Sequence, residues 1–247
     1  MKTIFAFTLI LILSAFVLQS DFLSEQKKFE RVRTSISEKG KTISDKLNEK
    51  GLKTDNLNIL ILAFKDDDLL EIYAKKKSDS IYKKLISYDI CSRSGELGPK
   101  RKQGDMQVPE GFYHIDRFNP TSSYYLSLGL NYPNKSDKKK SKASNLGGDI
   151  FIHGSCVTIG CLPMTDEKIK EIYLYSVYAK NNGQAKIPVY VFPFQMTEDK
   201  FKSYKTKYKD QTALIDFWKN LKSGYDKFQK DKKELSFSVD SKGNYVF

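Results

Sequence analysis

Hydrophobic and polar positions follow several distinct patterns along the chain, and each predicts a different kind of element. Thr3 to Leu18 is an almost unbroken apolar run behind one lysine, Lys2. After Asp21 the pattern becomes periodic: Phe29, Val32, Ile36, Ile43 and Leu47 recur at spacings of three, four, seven and four residues, with charges between them. This is the one-faced stripe of a helix over 21–50, expected to break at Gly40. Ile59-Leu60-Ile61-Leu62-Ala63-Phe64 is a continuous apolar run of strand length. Asp66-Asp67-Asp68 supplies a turn, and Leu70-Glu71-Ile72-Tyr73 reads as the hairpin partner.

A third strand is expected between Ile81 and Ile90, followed by a turn-rich stretch from Cys91 to Glu110. Strands return at Gly111 to Ile115 and at Tyr124 to Leu128, and a lysine-rich loop spans Asn134 to Gly148. Asp149 to Ile152 forms a strand that delivers His153. Thr165 can cap a helix carrying Asp166 and Glu167 in its first turn, where the helix dipole favours negative charge. Ile169, Ile172, Tyr173 and Val177 give that helix an apolar face, and Gly183 ends it. Ile187 to Phe192 is another strand. Leu214, Phe217, Trp218, Leu221, Tyr225 and Phe228 form a strong helical stripe, and Ser236 to Phe247 closes as a hairpin. The predicted body is mainly β, in an α+β arrangement with helices at both ends and one after Cys161.

The chain has 247 residues, 40% hydrophobic and 13% aromatic, enough to bury a core. The first apolar run, with its short positive start and Ser20 before Asp21, reads as a secretory signal peptide over 1–20; an uncleaved anchor is the alternative. The expected location is the periplasm or cell envelope, with membrane contact only through that segment if it is retained. The net charge of +12 points to an anionic neighbourhood, and the scattered lysines favour a solvated surface. Nucleic acid is not expected as a partner, because export argues against it. The expected division is a helical segment over 21–55, a catalytic domain over 56–196, and a helical extension with its hairpin over 197–247.

The candidate chemistry lies at His153-Gly154-Ser155 and Thr158-Ile159-Gly160-Cys161. The chain has only two histidines, His114 and His153, so a Cys–His mechanism must use one of them. An ordinary thiol is mostly protonated at neutral pH and needs a base or a cationic neighbour to become a nucleophile. His153 ends a strand, and Cys161 follows a glycine turn eight residues later, a loop long enough to fold the thiol back over the imidazole. Backbone N–H groups near Gly160 and Cys161 can face an oxyanion, and Ser155 or its carbonyl can fix the imidazole tautomer. His114, alternating with apolar neighbours, fits a solvent-facing strand position and is the fallback base. Three cysteines leave one unpaired: a Cys91–Cys156 bridge would free Cys161, whereas a Cys156–Cys161 bridge would consume it. His153, Cys156 and Cys161 as zinc ligands match no common spacing.

At these residues the sequence resembles the L,D-transpeptidase family, the YkuD-like catalytic domain, and within it the YafK-like branch. The family motif has HG, a short insert and then S/T-x-G-C, standing here as His153-Gly154-Ser155-Cys156-Val157-Thr158-Ile159-Gly160-Cys161. Ser94 to Lys100, Gly104-Asp105, Pro109 to Tyr113, Ser123 to Ser127 and Cys161 to Asp166 extend the likeness across roughly 57–196. The resemblance implies a YkuD-like β-sandwich or barrel domain, Cys161 as nucleophile, His153 as base, and peptidoglycan stem peptides as substrate. Gly160, Ser155 and Gly154 become the oxyanion and orienting residues, with no cofactor and no metal. The thiolate of such an enzyme attacks the carbonyl at the L-centre of a diamino acid, expels the following D-residue, and passes the acyl group to an amine or to water.

Two positions depart from the pattern. Ile159 stands where many members have histidine, and Pro163 where many have a substrate-binding arginine or asparagine. Thr158, Tyr125, Arg93 and Lys100 are the substrate-binding candidates, with Arg101 a further source of positive charge for a stem carboxylate. The expected function is an exported cysteine L,D-transpeptidase in cell-wall cross-linking or remodelling. The alternatives are the same fold as an L,D-carboxypeptidase or an amidase that releases wall-linked protein, and a non-catalytic wall-binding module with Cys161 in a disulfide.

Overall fold

The computed structural model describes residues 21–247; the expected signal peptide lies outside them. Within the described residues no helix is long and apolar enough to cross a membrane. β1 (Asn58–Phe64) and β2 (Leu69–Lys75) form the expected hairpin, and β3 (Lys83–Asp89) pairs antiparallel with β2. β4 (Gly111–Asn119), β5 (Ser127–Leu130), β6 (Phe151–His153), β7 (Leu162–Pro163) and β8 (Ile187–Phe192) complete one mixed sheet of eight strands. Its order is β3-β2-β1-β8-β4-β5-β6-β7. The mainly β, α+β expectation is met.

The unbroken apolar run of β1 has a direct cause. Ile59, Ile61 and Ala63 point into one apolar cluster, and Leu60, Leu62 and Phe64 into another on the opposite face. A strand covered on both faces has no polar side. The first face is covered by α1 (Phe22–Gln26), α2 (Glu30–Glu49) and, after the short α3 (Lys135–Lys140), by α4 (Asp166–Asn181). The second face is covered by α5 (Glu198–Lys207) and α6 (Thr212–Asp231), whose Phe201, Phe217, Trp218, Leu221, Tyr225 and Phe228 pack on it. β9 (Ser238–Val239) and β10 (Tyr245–Val246) form the terminal hairpin.

Three expectations are corrected. The helix does not break at Gly40, because α2 runs through it with Val32, Ser35, Ile43 and Leu47 buried. A mid-helix glycine costs only about 0.5–1 kcal/mol relative to alanine, less than that burial returns. The break falls instead at 27–29, where the Arg33 guanidinium accepts its place by donating to the carbonyls of Lys27 (2.9 Å) and Lys28 (2.7 Å). The strand expected from Tyr124 begins only at Ser127, since Tyr125 has a left-handed φ of 67°. The lysine-rich loop contains α3, started by a capping box in which Asn134 and Asp137 each bond the other's backbone N–H.

Candidate active site

β6 lies between β5 and β7, and this sets the position of His153: it pairs with Ser127 on one side and Pro163 on the other. The strand ends abruptly at Gly154, whose N–H donates to the Tyr124 carbonyl at 3.0 Å. A Cβ at Gly154 would sit 2.5 Å from Asp166 Oδ1 and 2.9 Å from the Tyr124 oxygen, so only glycine fits. Ser155 and Cys156 then take left-handed φ values of 67° and 46°, a conformation costing a non-glycine residue about 1–3 kcal/mol. Two restraints hold this bend. Asp166, in the first turn of α4, accepts the Ser155 N–H at 2.8 Å, and Cys156 is bridged to Cys91. Asp166 was legible in the sequence only as a helix-start residue.

His153 is 2% exposed, and its ring lies 4.8 Å from that of Tyr124. Its Nδ1 is 2.6 Å from the Gly154 carbonyl oxygen. A carbonyl can only accept, so Nδ1 carries the proton and Nε2 is left with its lone pair. The orienting acceptor is therefore Gly154 O, while Ser155 is exposed and turned to Asp166. Burial pulls the imidazole below its ordinary value, partly offset by the Gly154 hydrogen bond. The same cause raises the Cys161 thiol; the Phe151 N–H opposes it, Asp149 adds to it, and Lys100 opposes it at longer range. Both shifts favour the neutral forms, and the thiol donates to the Asp149 carbonyl at 3.6 Å.

Cys161 is the free cysteine, so the Cys156–Cys161 bridge of the binding-module alternative is not formed. Cys156, held in its disulfide, is also not a zinc ligand. Among the described residues no group of three or more His, Cys, Asp or Glu side chains is placed to hold a metal ion.

Gly160 has φ 130°, and a Cβ there would meet the Gln107 carbonyl at 3.0 Å. The N–H groups of Gly160 and Cys161 already have an acceptor: both donate to Thr158 Oγ1, at 3.2 and 2.8 Å. The Thr158 hydroxyl in turn donates to the Cys161 carbonyl at 3.0 Å. Thr158 therefore organises the nucleophile loop from within, and its oxygen sits on the donors expected to receive an oxyanion.

Two cavities meet at Cys161. One, ≈ 410 Å³, is lined by His153, Tyr124, Phe151, Thr158 and the exposed apolar Val157 and Ile159. The other, ≈ 160 Å³, runs from Cys161 past Ser94 and Glu96 to Lys207 and Tyr208 at the end of α5. Neither Lys207 nor Tyr208 carries a signal in the sequence, because their helix lies far outside the motif region.

The remaining candidates are placed differently from expectation. Arg93 lines the smaller cavity, but its guanidinium is held by Asp66 (3.1 Å) and Asp68 (2.6 Å). Lys100 is 5% exposed and lies against neither cavity: its ammonium is taken by Asp105 (2.6 Å) and the Lys102 carbonyl (3.0 Å). Arg101 is paired with Asp137 at 3.0 Å. Tyr125 faces away from the cavities, stacked under Arg31 and Lys170, with its carbonyl accepting from Arg31 at 2.5 Å. His114 is partly buried on β4, one strand beyond β5 from His153.

The chain is similar to known proteins in sequence and in fold. Residues 59–191 match the L,D-transpeptidase catalytic domain (YkuD). The chain is 39% identical over 190 residues to the "Putative L,D-transpeptidase YafK" of Escherichia coli (strain K12), covering 76% of this chain and 73% of that protein. The protein of the same name from Escherichia coli O157:H7 matches to the same extent. Among solved structures, the helical cell shape determining protein Pgp2 from Campylobacter jejuni aligns with a TM-score of 0.44 and 22% identity, covering 74% of each chain. Bd1075 of Bdellovibrio bacteriovorus aligns with a TM-score of 0.39 and 20% identity, covering 65% of this chain and 56% of that one.

Proposed function

The chain belongs to the L,D-transpeptidase catalytic-domain family, and from that premise we propose that it is an exported cysteine acyltransferase acting on peptidoglycan stem peptides in the periplasm or cell envelope. The observation that carries this reading is the disposition of His153 and Cys161. The imidazole is pinned through Nδ1 to the Gly154 carbonyl, leaving Nε2 as a base, and both residues line one cavity. The Cys91–Cys156 bridge supports an oxidising compartment.

In the proposed reaction His153 Nε2 takes the Cys161 proton as Sγ attacks the carbonyl carbon at the L-centre of the diamino acid. The tetrahedral oxyanion collapses, the C–N bond breaks, and the imidazolium returns the proton to the departing amine of the D-residue. The acyl group then passes to an incoming amine: a C–N bond forms, the C–S bond breaks, and His153 takes the amine's proton and returns it to the departing Cys161 sulfur. The energy of the broken peptide bond is retained in the thioester, so no nucleotide is consumed. The Gly160 and Cys161 N–H groups stabilise the oxyanion once the Thr158 hydroxyl yields them.

Intact-protein mass spectrometry with a carbapenem tests the nucleophile. A single covalent adduct is expected on the wild type and none on Cys161→Ala. No adduct on the wild type, or an undiminished one on the variant, sinks the assignment. Water as the acyl acceptor is the second reading, giving an L,D-carboxypeptidase or an amidase that frees wall-linked protein. Pro163 favours keeping it in view: this residue is buried in β7 where many members carry a polar substrate-binding side chain. Product analysis on defined stem peptides separates cross-linked from trimmed products.

A further inference from the structure

The turn at 122–125 forms one wall of the larger cavity, and an arginine from outside the family-matched residues holds it from behind. Arg31 stands in the first turn of α2, where a cation opposes the helix dipole, so the helix itself gains nothing from it. One guanidinium nitrogen, Nη1, donates to both the Ser122 and the Tyr125 carbonyls, each at 2.5 Å. The guanidinium also lies over the Tyr125 ring, 5.4 Å from its centroid, and Lys170 covers the same ring at 5.6 Å. Arg31 has no ion-pair partner among the described residues. A half-buried cation is thus spent on two backbone oxygens, in charge-assisted bonds about twice as strong as neutral ones. They hold a conformation that is costly by itself, since Tyr125 has φ 67° without being glycine.

On its other side the turn meets the general base. The Ser122 and Tyr125 carbonyls converge on Arg31, while Tyr124 between them is turned to His153. The Tyr124 carbonyl accepts the Gly154 N–H at 3.0 Å, and its ring centroid lies 4.8 Å from the imidazole. That ring is 46% exposed, so side-chain packing does not lock it; its backbone sets its place over His153. Contacts therefore run from Arg31 through the turn to the ring that covers His153, and to the glycine whose carbonyl orients it. Resting on the reading of His153 as general base, we propose that Arg31 is a positioning residue for it. It holds the turn so that Tyr124 shields the imidazole and Gly154 keeps its place. The helical segment ahead of the matched domain thereby belongs to the active-site scaffold.

Arg31→Met removes both bonds and keeps an apolar stem. The turn then relaxes, Tyr124 leaves the imidazole, and water reaches it. Burial holds His153 below its ordinary value, so exposure should raise it. The titratable groups that share its cavity are Tyr124, Cys161 and Asp149, and the substitution alters none of them chemically. With only two histidines in the chain, imidazole NMR against pH, assigned with His114→Gln, reads His153 directly and without substrate. In Arg31→Met its midpoint should move up towards the ordinary histidine value, and the acidic limb of kcat/KM on a stem tetrapeptide should move up with it. kcat should fall about tenfold to a hundredfold, the scale of a misplaced catalytic group, with KM changing less. Arg31→Lys keeps a cation on a shorter stem and should fall between wild type and Arg31→Met. Arg33→Met is the structural control: it removes the bonds to the Lys27 and Lys28 carbonyls and should leave both readouts at their wild-type values. A folded Arg31→Met with the wild-type His153 midpoint overturns the proposal, as does a midpoint shift shared equally by Arg33→Met. If Arg31→Met does not fold, Arg31→Lys decides, and a wild-type midpoint there overturns the proposal as well. A shifted midpoint in a protein that turns over no stem peptide keeps the role of Arg31 toward the imidazole and removes the enzymatic reading. Full turnover with no shift does the reverse.

Discussion

Removing the charge of Glu110 should destabilise the protein more than almost any other isosteric change. Glu110 is fully buried and its carboxylate accepts from three donors: Lys65 Nζ at 3.0 Å, the Gly98 N–H at 2.7 Å and Trp218 Nε1 at 2.9 Å. Lys65 is almost as buried, and its remaining bonds go to the carbonyls of Glu96, Gly98 and Val108. At an effective dielectric of about 20, unit charges at that separation attract by about 5–6 kcal/mol, much of it spent on desolvation. Glu110→Gln leaves the ammonium buried without its counter-charge, and breaking a buried pair in this way typically costs about 3–5 kcal/mol. In urea, with a slope of about 2–3 kcal/mol/M, the midpoint should fall by about 1–2 M. Lys65→Met should cost a comparable amount, and Lys65→Met/Glu110→Gln markedly less than the sum of the two, because neither charge is then stranded. A Glu110→Gln loss under about 1 kcal/mol, or strict additivity in the double variant, would refute the reasoning.

Four further outcomes follow from the structure. Burial pushes Asp137 up to about 6, against the pull of Arg101. A carboxyl raised in the fold favours the folded state below its unfolded value near 3.8, and that contribution is lost as pH rises through about 6; Asp137→Asn should remove a decline on the order of 3 kcal/mol between pH 4 and 7, read from denaturation midpoints. With the Cys161 thiol raised and His153 lowered, iodoacetamide alkylation should keep accelerating past pH 9, whereas kcat/KM should hold down to below pH 6.5; an alkylation plateau near neutrality would reveal a resting thiolate–imidazolium pair instead. Thr158→Val removes the acceptor that orders the Gly160 and Cys161 N–H groups and should lower kcat by about tenfold or more, with Thr158→Ser near wild type; an unaltered Val variant would deny the hydroxyl its positioning role. Replacing Cys91 and Cys156 by alanine opens a bridge spanning 65 residues, which chain-entropy arithmetic values at about 4 kcal/mol, and the thermal midpoint should drop accordingly.

The sheet was legible in the sequence wherever a strand is buried on both faces. The continuous apolar runs of β1 and β8 and the cap of α4 at Thr165 announce themselves. What escaped was set by partners distant in sequence. Tyr124-Tyr125 has strand composition, but Gly154 and Arg31 claim its carbonyls and turn it. The Asn134–Asp137 capping box was hidden among lysines. Cys161 and His153 could be named from their motif, and the structure places them on one cavity. The substrate-binding cations could not, since Lys100 and Arg93 look free in one dimension and are each claimed by nearby aspartates in three. Lys207 and Tyr208 reach the cleft only through the packing of α5 and α6, which no local pattern encodes.

β8 is the last strand of the large sheet to be synthesised, yet it lies in the middle, parallel to β1 and antiparallel to β4. Without β8 the sheet divides into two parts, β3-β2-β1 and β4-β5-β6-β7, whose inner edges would have nothing to bond. Such edges invite mispairing and attract chaperones. The native state therefore cannot assemble progressively from the amino terminus; it closes in one late event, as β8 zips two halves together across a long sequence separation, which makes folding slow for its size. A polypeptide built this way cannot complete its large sheet until that strand is made. A premature stop anywhere before β8 should yield not a smaller enzyme but an aggregation-prone fragment.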